Sequence, residues 1–175
     1  MSSNAGSKTQ PAEVRRVAVV THGRPERIGR ALERLRADPR VTVLERTNAR
    51  ELRELPFRPE LVTCDVSFIS ARLVLPPVLA LAAPGWEAVV LVKPQFEAGR
   101  EEVRKGGVVR DPGVHRRVLR EVAEAALTWQ AEPAGVVDSG LPGPKGNREF
   151  FLHLVHRERP ERPDELDTWI DREIG

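Results

Sequence analysis

Cysteine is almost missing from this sequence: Cys64 is alone in 175 residues, which excludes an internal disulfide framework. Long apolar runs are missing too. The longest, residues 73–83, is interrupted by Pro76 and Pro77 and falls far short of the roughly 20 residues a membrane-spanning helix needs, so it reads as core. Charge of one sign is not in excess: 28 basic against 26 acidic residues leave +2. The chain is therefore no polycation, although a sequence pI of about 9.1 permits a local basic face toward an anionic partner. The opening residues Met1-Ser-Ser-Asn-Ala-Gly-Ser7 carry no apolar core of a signal peptide, and the cytoplasm is the expected compartment. What the sequence does have is 40% apolar content, enough for the core of one domain.

Residues 1–13 are polar and without periodicity, and burial cannot offset their ordering entropy, so a disordered tail is expected. Residues 14–156 read as one domain. An apolar run at 17–21, a Gly and Pro loop, and Ile28, Leu32 and Leu35 at helical spacing within 25–37 predict strand, loop, helix. Runs at 41–44, 61–64 and 88–92 repeat the strand signature, with a helix predicted to start at Pro76 and run to residue 83. Asp111-Pro112 supplies an N-cap and a first-turn proline for a helix to about Trp129, with Val114, Val118, Leu119 and Val122 as one stripe. Residues 134–138 and 150–155 read as an antiparallel strand pair joined by the glycine-rich loop 139–147. The alternation predicts an α/β fold with a mostly parallel sheet and an antiparallel C-terminal pair. Residues 157–175 read as a charged spacer and a helix whose Leu166, Trp169, Ile170 and Ile174 share a face. That helix is expected to dock on its own core, on a second copy or on a partner chain.

Three charged residues fall at strand ends: Asp65, Lys93 and Glu149. Parallel sheets gather their sites beyond the carboxyl ends of strands, so the three form a candidate active site. The bland alternative is a solvated strand-end cation, Lys93, with Glu149 as a surface ion-pair partner. Phe68 and Phe96 lie beside the acid and the lysine, where they could stack on an extruded base; for Phe68, core packing is the favoured role. Arg100, Arg104, Lys105, Arg110, Lys145 and Arg148 occupy loops flanking the site and could hold the phosphates of an anionic partner. Glu101, Glu102 and Asp111 are interleaved with them, so a merely solvated loop is the alternative. Cys64 is expected to be a buried strand thiol. His153 and His156, three apart on a strand, point to opposite faces, and no metal is expected.

Taken together, residues 38–50, 65–70, 93–100, 105–112 and 146–150 resemble the hemolysin-A-type (TlyA) ribosomal RNA methyltransferases of the FtsJ-like superfamily, continuously from about 38 to 156. The resemblance implies a Rossmann-like, S-adenosylmethionine-dependent methyltransferase fold and methyl transfer to a ribose 2′-hydroxyl of RNA, ribosomal RNA in this family. Asp65, Lys93 and Glu149 match the last three members of the family's lysine, aspartate, lysine, glutamate tetrad. A ribose hydroxyl is a poor nucleophile, and a lysine of lowered pKa, oriented by the two acids, can take its proton. Glu45, Asn48, Asp65, Ser67 and Phe68 are the implied cofactor contacts.

The family's S4 domain, first tetrad lysine and glycine-rich cofactor loop find no counterpart, so a truncated or degenerate version of the fold with impaired cofactor binding is expected. The alternative is a catalytically silent RNA-binding or interaction module. The segment 21–29, with Gly23 and Gly29, is the nearest substitute for the glycine loop and reads better as a plain connection. Two registers stay open. In the one the resemblance favours, residues 17–23 are the family's second strand and Thr21 replaces the acid that holds the cofactor ribose. In the other, residues 17–21 are the first strand and Glu45 supplies that acid.

Overall fold

Short runs of branched apolar side chains suit a pleated, half-buried surface, and they become the strands of a computed structural model that describes residues 17–20 and 29–175. The expected tail 1–13 and nearly all of segment 21–29 lie outside the described residues. The chain divides into two units, residues 1–47 and 48–175. In the first, β1 (Val17–Val20) and β2 (Val41–Leu44) pair in parallel, Val17 opposite Val41, with α1 (Gly29–Arg36) between them in sequence.

The second unit contains β3 (Leu61–Cys64), α2 (Ala71–Leu79), β4 (Glu87–Val92), α3 (Pro94–Glu97), α4 (Pro112–Ala126), β5 (Ala131–Asp138), β6 (Phe150–His156) and α5 (Leu166–Ile174). Its sheet has the order β3-β4-β6-β5. The β3–β4 ladder is parallel, and β6 is antiparallel to both β4 and β5. So β3, β4 and β5 run one way and only β6 is reversed. The antiparallel β5–β6 pair follows the sequence pattern. The insertion of β6 between β4 and β5 does not, and it makes "mostly parallel" true of strand directions rather than of the pairings. Its physical basis is β6 itself: Phe150, Leu152 and Leu154 are fully buried, as an interior strand requires.

Helices α2, α4 and α5 pack into one core with this sheet. Val74, Leu75, Val118, Leu119, Val122, Leu166 and Ile170 meet Val62, Ala88, Val90, Val92, Leu152 and Leu154. The apolar face of α5 thus goes into the chain's own core, which removes the reason for assigning it to a partner. Ile170 is fully buried, so Ile170→Ala is expected to cost about 2–5 kcal/mol. Denaturant unfolding checks this, and a loss under about 1 kcal/mol would place α5 outside the cooperative core.

Helix α2 corrects the sequence reading. It starts at Ala71, capped by Ser70, and takes Pro76 and Pro77 inside rather than at its start. Interior prolines forfeit hydrogen bonds; the true start depends on a tertiary partner for the Ala71 N–H, the Glu97 carboxylate at 2.6 Å. Cys64 is buried as expected, and desolvation, helped by the neighbouring Asp65 charge, pushes its thiol up to about 11. Among the described residues no helix is long and apolar enough to cross a membrane, and no cluster of three metal-ligating side chains exists.

Candidate active site

Strand β3 ends at Cys64 and β4 at Val92, so the next residues, Asp65 and Lys93, emerge from the same edge of the sheet. Lys93 Nζ donates to Asp65 Oδ1 at 2.5 Å and to Ser67 Oγ at 3.2 Å. Its side chain is only 10% exposed, whereas that of Asp65 is 68% exposed. Lys93 Nζ is therefore buried and held by an open carboxylate, not the solvated cation of the bland alternative. Two partners hold it, and no third exists among the described residues.

The antiparallel register sets Val92 opposite Phe150, which brings Glu149 beside Lys93. Glu149 is 7% exposed, and its Oε1 accepts from Gln95 Nε2 at 3.1 Å. Asp65 thus orients the lysine directly, while Glu149 is oriented by Gln95. A methyl group on Gly143 would come within 2.3 Å of Glu149 Oε1, so any larger residue there would have to displace the Glu149 carboxylate.

Phe68 overturns the expectation of core packing: it is 91% exposed. Its φ is +64°, a left-handed conformation that costs a bulky residue about 1 kcal/mol or more. The ring lies 5.1 Å from that of half-buried Phe96, tilted by 47°. The pair forms an open aromatic surface beside Asp65 and Ser67. The other implied cofactor contacts are occupied locally. Asn48 Oδ1 accepts from the Arg50 backbone and side chain, and its Nδ2 donates to Glu51; Glu45 pairs with Arg36 within the first unit.

Arg100, Arg104, Lys105, Arg110 and Lys145 are exposed, and none is ion-paired to another described residue. A residue not singled out in the sequence organises their loops. Asn147, 3% exposed, accepts from the Val109 N–H at 3.0 Å and donates to Gly107 O at 2.8 Å. It therefore clamps the 104–110 loop to the 139–149 loop; in sequence it is indistinguishable from a turn asparagine. His115 adds a second anchor, with Nε2 at 3.1 Å from Val109 O, and burial lowers its pKa, so that the neutral ring donates from Nε2.

The FtsJ-like methyltransferase family profile matches residues 15–156. The chain belongs to the FtsJ-like methyltransferase family. It is 48% identical over 144 residues to the 16S/23S rRNA (cytidine-2′-O)-methyltransferase TlyA of Mycobacterium tuberculosis, a match covering 81% of this chain and 54% of that protein. It is 46% identical over 139 residues to the rRNA methyltransferase candidate YqxC of Bacillus subtilis, covering 75% of this chain and 50% of that one. A solved structure of a hemolysin candidate from Streptococcus thermophilus superposes with TM-score 0.81 at 32% identity, covering 91% of this chain and 58% of that chain. The chain spans about half the length of the curated relatives it matches.

In this FtsJ-like chain the matched span contains Asp65, Lys93 and Glu149 and stops at the end of β6, before α5. Arg148, one of the expected RNA contacts, links the two regions. It bonds Asp138 Oδ2 at 2.6 and 2.9 Å and the carbonyls of Glu173 and Ile174 at 2.5 and 3.1 Å, and lies 5.2 Å over the Phe150 ring. Its guanidinium is occupied within the fold, which sets it apart from the five unpaired cations.

Proposed function

We propose that the chain carries a ribose 2′-O-methyltransferase site acting on RNA, with ribosomal RNA, the substrate in TlyA's name, as the substrate class. The observation that carries this reading is the buried Lys93 amine, fixed by Asp65 and Ser67 with one position open. S-adenosylmethionine, when bound, supplies an electrophilic methyl group. Lys93 in its amine form takes the proton of the ribose hydroxyl, and Asp65 stabilises the ammonium that results. Glu149, held by Gln95, stands next to Lys93 in the β4–β6 register and is the second acid of the site. Phe68 and Phe96 offer a stacking surface for a base or the cofactor adenine. Lys93→Ala, measured on RNA methylation, tests the assignment.

The exposed Asp65 carboxylate, Ser67 hydroxyl and Phe68 ring fit a cofactor at this edge, but Asn48 and Glu45 are committed elsewhere. In the register the resemblance favours, β1 is the second strand and Thr21 stands where the ribose acid is expected. Calorimetric titration of the 175-residue chain with S-adenosylmethionine is accordingly expected to give a Kd weaker than about 100 µM, less than roughly 5.5 kcal/mol of binding. A low-micromolar value would favour the register with Glu45 on the ribose.

The five unpaired cations favour a second reading, a catalytically silent RNA-binding module. Under either reading, binding to structured ribosomal RNA fragments is expected to be weak, insensitive to sequence and steeply weakened between about 50 and 200 mM salt, as phosphate contacts are. Filter binding across that range checks it; salt-independent binding, or none at low salt, would contradict it.

A further inference from the structure

We infer that Glu97 is a positioning residue for the site: it locks the loop carrying Asp65 to the turn that follows Lys93, and so holds the Asp65–Lys93 pair in register. The inference deepens the methyltransferase reading and rests on it. Lys93 leads directly into α3, whose first residue, Pro94, has a fixed φ suited to a first turn. One turn on, the Glu97 side chain is only 2% exposed. Its carboxylate accepts from Ser70 Oγ at 2.5 Å, the Ala71 N–H at 2.6 Å and Arg72 Nε at 3.2 Å. Those donors begin α2, immediately after the segment 65–70 that carries Asp65, Ser67 and the strained Phe68.

A buried carboxylate costs several kcal/mol unless its oxygens are well bonded, and three charge-assisted hydrogen bonds at a helix N-terminus meet that need. Capping alone does not explain it, because Ser70 Oγ already caps α2 by accepting from Arg72 N at 3.1 Å. What Glu97 adds is a cross-link between two loops 26 residues apart. The same turn holds Glu149 through Gln95, so both acids are referred to the four residues after Lys93. Misplacement on the scale of 1 Å at such a site can cost about 100-fold in rate.

Trace labelling of the folded chain with acetic anhydride, read by mass spectrometry at one mildly alkaline pH, tests this without requiring turnover. Exposed Lys105 and Lys145 serve as internal references for buried Lys93. Glu97→Gln is expected to raise Lys93 labelling relative to Lys105 by about fivefold or more, in the same direction as Asp65→Asn, because either change frees a buried Nζ from the carboxylate that holds it. Ser70→Ala, which removes one donor to Glu97 together with the α2 cap but leaves the Ala71 and Arg72 bonds to Glu97 available, is expected to shift the ratio the same way by less, and it serves if Glu97→Gln fails to fold. Ile174→Ala, a buried change in α5, is expected to lower stability and leave the ratio alone. An unchanged ratio in the Glu97 and Ser70 variants, or an equal rise in Ile174→Ala, would overturn the inference. Failure of the methyltransferase reading has a different sign, full RNA methylation by Lys93→Ala, so the two failures are separable.

Discussion

Lys93→Ala is expected to lower the rate of RNA methylation by about 10²- to 10⁴-fold, roughly 3–5 kcal/mol of barrier, when measured at millimolar S-adenosylmethionine so that weak cofactor binding does not limit the comparison. The loss follows from geometry: Lys93 Nζ is buried at the sheet edge, doubly anchored and still open on one side. Asp65→Asn and Glu149→Gln are expected to be severe as well but not additive with it, because the three act as a unit. Folding survives. Removing the ammonium leaves behind an Asp65 carboxylate whose side chain is 68% exposed and therefore already solvated, so the melting temperature is expected to fall by only a few degrees. Full methylation with a collapsed melting temperature would make Lys93 a structural residue.

The parts of this site that the sequence displayed are those fixed by local pattern. Apolar runs of four to six residues became strands at nearly the expected positions, and the polar residues just beyond them, Asp65 and Lys93, came together because parallel strands end at the same edge. Glu149 reached the site by another route: it precedes a strand, and only the antiparallel insertion of β6 next to β4 puts it beside Lys93. Nothing in residues 150–156 states which strand they will pair with, since that choice depends on the whole core.

The same limit explains the differences at single residues. Ser70 and Ala71 do not read as a helix start without Glu97, so the prolines drew the predicted boundary downstream. Phe68 looked like core because aromatic residues usually are, yet its left-handed backbone turns it out to solvent next to Phe96. Arg148 looked like its cationic neighbours until Asp138 and the last carbonyls of α5 were found to use its guanidinium. In each case the deciding contact is distant in sequence. Locally inconsistent residues gather around the proposed chemistry, as functional sites tend to show.

The alternation along β6 gives the sharpest test of the fold that carries this site. Phe150 is fully buried and Phe151 is 39% exposed, because successive strand residues face opposite sides of the sheet. Phe150 packs edge-on to His115, with ring centroids 5.6 Å apart, and beneath the Arg148 guanidinium. Phe150→Ala is expected to cost about 3–5 kcal/mol, which at roughly 3 °C per kcal/mol for a chain of this size is a fall in Tm on the order of 10 °C. Phe151→Ala, on the open face, should cost less than about 1 kcal/mol. The larger loss should also reach the chemistry, since Phe150 follows Glu149 directly and packs against His115, which anchors the 104–110 loop at Val109. Calorimetry on the two variants decides it: equal losses, or a larger one for Phe151, would mean that β6 is slipped by one residue, and Glu149 would then not lie beside Lys93.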